Sequence, residues 1–137
     1  MKNHLIAKID ARGINESLSR MIVAGFIMPL DPTIEQMADI KTAVSEAVTN
    51  AIIHGYDGKF GEVEIEMEIE DRLLTVKIRD NGVGIEDIEQ ARTPLYTSKP
   101  DCDRSGMGFT VMESFMDNLH ILRTPGEGTT VIMEKQL

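Results

Sequence analysis

Hydrophobic and polar residues alternate most regularly in the middle of the chain, and this pattern predicts a β-hairpin. Glutamates occupy every second position of residues 62–70, and apolar residues occupy the positions between them. A period of two places the glutamates on one face of a strand and the apolar side chains on the other. Residues 74–79 alternate in the same way, so Lys77 and Arg79 are expected to face the glutamates across the hairpin. The acidic row is typical of a solvated sheet face, with a docking surface as the alternative.

A helical period appears twice before this hairpin. Residues 15–24 carry Leu18, Met21 and Ile22 at helical spacing. The exit of this first helix and a following loop are expected at Gly25, Pro29 and Pro32. Residues 33–36 read TIEQ, a capping-box signature that predicts the start of a second helix. The apolar side of the second helix comprises Ile34, Met37, Ile40, Val44, Ala47, Val48 and Ala51, and Gly55 is its expected stop.

The remaining segments predict short elements and one long loop. They are a strand over 4–10, a short helix over 86–92, a loop over 93–105, a helix over 106–116 and a closing hairpin made of 120–123 and 129–134. A polar loop of that length inside a compact domain is usually functional, and it is interpreted as a lid. The order of elements predicts an α+β fold, a two-layer sandwich with helices on one face of a mostly antiparallel sheet.

Composition narrows the class of protein. With 137 residues, 42% of them hydrophobic and 4% aromatic, the chain predicts one domain, 1–137, with an aliphatic core. A net charge of −9 argues against nucleic-acid binding and is compatible with basic partners. Cys102 is the single cysteine, so an internal disulfide is excluded and a reducing cytoplasm fits. The sequence has no signal-peptide pattern and no apolar run near the roughly 20 residues that span a bilayer, so a cytoplasmic protein without membrane contact is expected.

The first motif that carries chemistry is residues 46–50, EAVTN, late in the second helix. Glu46 and Asn50 are four residues apart and therefore project from the same helix face. An amide oxygen suits Mg²⁺, which binds few protein groups and keeps several waters. A carboxylate one turn earlier can accept the proton of a group that attacks a phosphate. The alternative is a polar stripe on an amphipathic helix.

The second motif, residues 80–84, reads DNGVG and follows an apolar strand. Its glycines, Gly82 and Gly84, allow a close approach of the backbone to a ligand. The Asp80 carboxylate at the strand end can accept a hydrogen bond from the exocyclic amine of adenine. An ordinary Asp-Asn-Gly turn is the alternative.

The third motif, residues 105–108, reads SGMG and precedes a helix, whose exposed N–H groups bind phosphate. It lacks the Gly-Lys-Thr/Ser of a P-loop and the βαβ unit of a dinucleotide site. Lys99 and Arg104 lie in the expected lid and are candidates to neutralise phosphate charge. Thr130, in the last hairpin, is a candidate to add a hydroxyl to the base pocket.

Together, the three motifs resemble the N, G1 and G2 boxes of the GHKL ATPase superfamily, which lie in this order in a Bergerat-type sandwich. The resemblance runs from about residue 33 to the end of the chain. It implies that Glu46 is the general base, Asn50 the Mg²⁺ ligand, and Asp80 and Thr130 the adenine ligands. The remaining expected ATP-binding residues are Gly82, Gly84, Ser105, Gly106, Met107, Gly108 and Phe109. The two lid cations, Lys99 and Arg104, are expected to bind ATP with them.

Residues 46–56 and 104–109 resemble one branch of that superfamily more closely, the small serine kinases that double as anti-sigma factors. The resemblance implies an ATP- and Mg²⁺-dependent kinase, usually a homodimer, that binds and inhibits a sporulation sigma factor. It also implies that the kinase phosphorylates an anti-anti-sigma protein on serine. Arg20, on the first helix, is a candidate partner contact.

Two other functions remain open at this point. One is an ATP-gated module that binds a partner without catalysis. The other is a detached histidine-kinase catalytic domain, against which three features argue. Phe109 and Thr110 stand where histidine kinases commonly have a further glycine, no helical phosphoacceptor domain precedes the motifs, and no histidine lies in an expected acceptor helix.

Overall fold

The computed structural model describes residues 1–55, 60–82, 108–124 and 128–137. Within these ranges, five strands form one antiparallel sheet in the order β1-β2-β3-β5-β4. Their bounds are β1 Lys2–Asp10, β2 Glu62–Glu70, β3 Leu73–Asp80, β4 Asn118–Thr124 and β5 Gly128–Gln136. The sheet confirms the predicted strands: β2 has the predicted bounds, and each of the other four extends one or two residues beyond its prediction at one or both ends.

Helices pack on one face of this sheet. They are α1 Asn15–Ile27, α2 Ile34–Asn50 and α3 Gly108–Phe115, with a 3₁₀ turn at Met28–Leu30 and a π-helical turn at Ala51–Gly55. This arrangement confirms the two-layer α+β sandwich. None of the helices in the described ranges combines the length and apolar character that crossing a bilayer requires.

The hairpin of β2 and β3 shows why the sheet has two unlike faces. On the inner face, which meets the helices, the apolar residues of β2 are completely buried; they are Val63, Ile65, Met67 and Ile69. On the outer face, Arg79 pairs with Glu64 at 3.1 Å, and Lys77 lies opposite Glu66 in the register. The predicted charge compensation across the hairpin is therefore confirmed.

Helix α2 begins as its sequence predicts. The Thr33 side chain accepts a hydrogen bond from the Gln36 N–H at 3.0 Å, and the Gln36 side chain accepts one from the Thr33 N–H at 2.9 Å. Its apolar stripe packs against the core from Met37 onward, whereas Ile34 is 92% exposed. The prediction for Ile34 is wrong: it is the first residue of α2, beside the exposed Thr33 cap, and the contact with the core begins one turn later.

Helix α1 departs further from its prediction. Of its three predicted apolar residues, Ile22 packs against the core, whereas Leu18 and Met21 are 44% and 69% exposed. The buried residues are Ser19, Val23, Phe26 and Ile27. Ser19 tolerates complete burial because its hydroxyl donates to the backbone carbonyl of Glu16 at 2.6 Å. The helix also continues through Gly25 and ends at Ile27, so it runs past the first predicted exit signal and ends before Pro29.

Candidate functional site

Asp80 is the anchor of the candidate site. It is the last residue of β3, and only 5% of it is exposed. Its Oδ1 accepts a hydrogen bond from the Gly82 N–H at 2.9 Å, and the backbone N–H of Thr129 also donates to this carboxylate. Burial raises the pKa of the Asp80 carboxyl above its ordinary value, and the two hydrogen bonds offset part of that rise. A carboxylate has about four acceptor positions, so Asp80 retains capacity for another donor such as an amine.

The threonine that accompanies Asp80 is Thr129, which the sequence analysis missed. In the register of β3 and β5, Asp80 lies opposite Thr129, and Arg79 lies opposite Thr130. Thr129 is 7% exposed, on the inner face. The Thr130 hydroxyl instead accepts a hydrogen bond from Arg79 Nε at 3.4 Å on the outer face. The structure therefore does not bring Thr130 to Asp80, because one residue along a strand reverses the face.

Gly128, which lies between the two predicted strands of the closing hairpin, makes the approach of β5 to Asp80 possible. Its φ is +109°, a conformation that side chains rarely adopt, and a Cβ there would lie 2.1 Å from the Asp80 carbonyl oxygen. The residue that precedes Thr129 must therefore be glycine if the Thr129 N–H is to reach the carboxylate. The signal for this requirement was the Gly-Thr pair at the start of the last strand.

Glu46 and Asn50 lie in the last two turns of α2, and both are half-buried. Their neighbours Ala47 and Val48 are at most 1% exposed, and they pack this part of the helix against the core. Helix α2 contacts β3, and the π-helical turn that follows Asn50 contacts both β3 and β5. The end of α2 thus lies beside the strands that carry Asp80 and Thr129. Single π-helical turns are frequent at functional sites.

Helix α3 presents a third element. It begins at Gly108, the last residue of the glycine-rich motif, and its first N–H groups have no acceptor within the helix. Phe109 is 6% exposed and belongs to the core, so its side chain anchors the helix and only its backbone can face a phosphate. At the other end, Lys135 Nζ donates to the Phe115 carbonyl at 2.7 Å. These contacts hold both ends of α3 in place.

Arg20 lies on α1, where its side chain is 49% exposed and its Nη2 donates to Glu16 Oε1 at 2.7 Å. This residue therefore lies at the surface, as a partner contact requires.

Several expected site residues lie outside the described ranges. They are Gly84, Lys99, Arg104, Ser105, Gly106 and Met107, together with the lid 93–105 and the short helix 86–92. Across the part of the chain that the structure describes, no three His, Cys, Asp or Glu side chains come together as a metal cage.

Comparison with known proteins gives the arrangement a family. Residues 17–135 match the histidine kinase-like ATPase domain. The anti-sigma F factor of Clostridium acetobutylicum is 57% identical over 136 residues, which are 99% of this chain and 95% of that protein. The anti-sigma F factors of Clostridium novyi and Bacillus licheniformis are 59% and 52% identical, over 98% and 100% of this chain and 95% and 94% of their own lengths.

A solved structure with the same fold contains the RsbU and RsbW domains of a Mycobacterium tuberculosis protein. It aligns with a TM-score of 0.69 at 20% identity, over 98% of this chain and 32% of that one. At that identity, the likeness concerns the fold alone. The matched range 17–135 includes Asp80, the end of α2 and the start of α3. The chain therefore belongs to the histidine kinase-like ATPase family, and within it to the family of the anti-sigma F factors.

Proposed function

We propose that the protein is an anti-sigma factor that is also an ATP-dependent serine kinase. The observation that carries this proposal is the buried Asp80 carboxylate beside the end of the helix that bears Glu46 and Asn50. The full-length similarity to anti-sigma F factors supports a sigma factor as one binding partner.

Asp80 and Thr129 form the adenine end of the proposed pocket. The ionised Asp80 carboxylate accepts a hydrogen bond from the exocyclic amine, and Thr129, rather than Thr130, supplies the hydroxyl on the same face. Gly82 braces Asp80 through its N–H, and Gly84 is proposed to line the same pocket. Asp80 and Thr129 both lie on the inner face of the sheet, so the proposed adenine pocket is on that face.

The phosphates are proposed to lie at the start of α3, where backbone N–H groups attract anions. The residues proposed to hold them are Ser105, Gly106, Met107, Gly108 and the backbone of Phe109, with Lys99 and Arg104 as neutralising cations. Phe109 contributes by anchoring this helix start in the core.

The donor set fits a magnesium ion bound through phosphate. Asn50 offers a carboxamide oxygen at a half-buried position, and Mg²⁺ characteristically takes one or two protein ligands together with phosphates and waters. When bound, the ion neutralises charge on the transferring phosphate. Asn50, in the last turn of α2, would hold the ion through its amide oxygen.

Glu46 is proposed as the general base. Its carboxylate accepts the proton of the substrate serine hydroxyl as the serine oxygen forms a bond to the γ-phosphorus. The bond between that phosphorus and the β–γ bridging oxygen breaks, and ADP leaves with the electron pair. Because the transition state is largely dissociative, Glu46 acts mainly by orienting the hydroxyl and receiving its proton.

The proposed phosphate acceptor is an anti-anti-sigma protein, and the proposed assembly is a cytoplasmic homodimer that contacts partners through Arg20. The net charge of −9 is compatible with a basic surface on the sigma factor.

Incubation with Mg²⁺, γ-labelled ATP and a candidate anti-anti-sigma protein tests the kinase. The expected product is acid-stable phosphoserine, reduced about 100-fold or more in Glu46→Gln, within the range for loss of a general base. Glu35→Gln, which removes an exposed carboxylate from the first turn of the same helix, is the matched control and is expected to behave as wild type. Asn50→Ala is expected to lose Mg²⁺-dependent ATP affinity.

Other outcomes identify the alternatives. ATP binding without transfer, with Glu46→Gln indistinguishable from wild type, would replace the kinase with a nucleotide-gated binding module. Acid-labile phosphohistidine on a partner would replace it with a histidine-kinase catalytic domain.

A further inference from the structure

One carboxylate oxygen connects the two long helices. Oε1 of Glu16 on α1 accepts a hydrogen bond from the Ser45 hydroxyl of α2 at 2.7 Å. The same atom accepts a hydrogen bond from Arg20 Nη2, also at 2.7 Å. Ser45 and Glu16 are 29 residues apart in sequence, so this contact exists only because α1 packs against α2.

The Ser45 arm of this link is buried. Ser45 is 5% exposed, and a serine inside a helix ordinarily donates to the backbone carbonyl four residues earlier. Its hydroxyl donates across to another helix instead, to a charged acceptor. Hydrogen bonds with an ionised partner are shorter and stronger than neutral ones, and the side chain of Glu16 is only 22% exposed. The link therefore has the properties of a specific structural tie.

The position of Ser45 connects this tie to the proposed chemistry. Ser45 immediately precedes Glu46 on α2, and successive residues of a helix are separated by about 100°. Because one helix moves as a rigid body, a rotation or shift that displaces Ser45 displaces Glu46 as well. The hydrogen bond from Ser45 to Glu16 of α1 thus helps to fix the rotation and position of the helix that carries the proposed base.

We propose that Glu16 is a positioning residue for phosphoryl transfer, holding Glu46 in register through Ser45 while it orients Arg20 for a partner. This inference rests on the proposed kinase function. Arg20 and Ser45 share one acceptor atom, so a group that draws Arg20 away changes the hydrogen bonding of Ser45. The surface of α1 is in this way connected to the proposed catalytic helix by two hydrogen bonds.

The test compares Glu16→Ala, Ser45→Ala and the double variant with wild type in the phosphoserine assay. Each single variant is expected to lower kcat about 5- to 10-fold, because small displacements of a catalytic group reduce rate steeply. The KM for ATP is expected to change less than about twofold, since Asp80 and the start of α3 are untouched. The double variant is expected to be no slower than the slower single variant, because both substitutions remove the same link.

Matched controls separate this effect from general loss of a side chain. Glu35→Ala removes an exposed carboxylate from α2, and Ser17→Ala removes an exposed hydroxyl from α1; both are expected to keep the wild-type kcat. Glu16→Gln retains an oxygen that accepts from Ser45, so it is expected to recover most of the kcat that Glu16→Ala loses. A purely structural role would instead lower the folded fraction of all Glu16 and Ser45 variants, with no difference in kcat per folded molecule between Glu16→Ala and Glu16→Gln.

The outcomes are distinguishable from failure of the kinase itself. If wild type transfers no phosphate, the proposed function fails and this inference fails with it. If wild type is active and Ser45→Ala keeps the wild-type kcat, the kinase stands and the positioning role is overturned. Effects of the two single variants that multiply in the double variant would also overturn it. Should Glu16→Ala fail to fold, Glu16→Gln and Ser45→Ala still decide the question.

Discussion

The two faces of the sheet use the same alternation for opposite purposes. On the inner face, Asp80 and Thr129 lie among completely buried aliphatic side chains, and burial raises the pKa of the carboxyl. On the outer face, Glu66 accepts a hydrogen bond from His4 at 2.8 Å, and this contact lowers the pKa of the Glu66 carboxyl. The comparison teaches that a carboxylate acquires its properties from the face on which it lies.

The faces differ in energetics as well. Pairs such as Glu64 with Arg79 are partly exposed, and such pairs contribute little, typically below about 1 kcal/mol. Complete burial of an aliphatic side chain contributes roughly 1.5–3 kcal/mol. The inner face therefore stabilises the fold and holds the candidate site, and the outer face mainly keeps its charges compensated.

The largest expected effect is that of Gly128→Ala, which forces a Cβ against the Asp80 backbone. Backbone strain and overpacking together predict destabilisation by about 4 kcal/mol and loss of ATP binding. Gly25→Ala is the control, because a Cβ at that position in α1 meets nothing within 4 Å, and it is expected to raise stability by roughly 0.5–1 kcal/mol. Urea unfolding of both variants measures the difference, and equal stabilities would contradict the assigned close approach.

The next effect compares neighbours in β2. Ile65→Ala removes a completely buried side chain and is expected to lower the free energy of unfolding by about 3 kcal/mol. Glu68→Ala, on the outer face of the same strand, is expected to lower it by less than about 0.5 kcal/mol. Urea unfolding again supplies the measurement. A larger loss in Glu68→Ala than in Ile65→Ala would reverse the assignment of the faces.

A smaller effect separates Thr129 from Thr130 in nucleotide affinity. Thr129→Val is expected to weaken ATP binding about 5- to 10-fold, the cost of one hydrogen bond of roughly 1–1.5 kcal/mol. Thr130→Val is expected to leave the affinity within about twofold, because its hydroxyl lies on the outer face with Arg79. Isothermal titration with ATP decides between them, and the opposite order would restore Thr130 to the adenine pocket.

The smallest expected effect concerns how stability depends on pH: Asp80 and Glu66 are expected to contribute slopes of opposite sign. In the folded state, the pKa of Asp80 lies above the ordinary aspartate value. The contribution of Asp80 to the free energy of unfolding is therefore present below the ordinary pKa and is lost as pH rises through the raised pKa. For Glu66 the pKa is lowered, so its contribution is present above the ordinary glutamate pKa and is lost as pH falls through the lowered value.

Unfolding of wild type, Asp80→Asn and Glu66→Gln across acidic pH measures these two contributions. Each variant removes one of the two opposing slopes. Slopes of the same sign would contradict the contrast between the faces. ATP affinity of wild type is also expected to fall as pH drops through the raised pKa of Asp80, because the adenine amine requires the ionised carboxylate.

Local signals account for the elements that were predicted correctly. The capping box at Thr33 and the strict alternation of residues 62–70 involve atoms a few residues apart, so propensity and periodicity determine them. The order of the three motifs likewise indicates the family, because it is a property of the sequence alone. The roles of Gly84, Lys99, Arg104 and residues 105–107 stay predictions, because these residues lie outside the described ranges.

Nonlocal packing accounts for the errors. The apolar residues of α1 predicted a face with Leu18, Met21 and Ile22. Only Ile22 packs against the core, and the fully buried face contains Ser19 and Val23. Periodicity gives the spacing of a face but not which face meets the sheet. Ser19 satisfies its hydroxyl within its own helix, so polarity did not keep it at the surface.

The sequence by itself determined the two-layer fold, the start of α2 and the motifs that define the family. Each of these is predicted by the periodicity, capping residues or motifs of contiguous segments. Only the tertiary structure decided that Thr129 rather than Thr130 accompanies Asp80, that Gly128 must lack a side chain, and that Glu16 reaches Ser45. The physical reason is that each of these contacts joins segments far apart in the chain. Their geometry depends on strand register and on the rotation of packed helices, and local propensity contains neither.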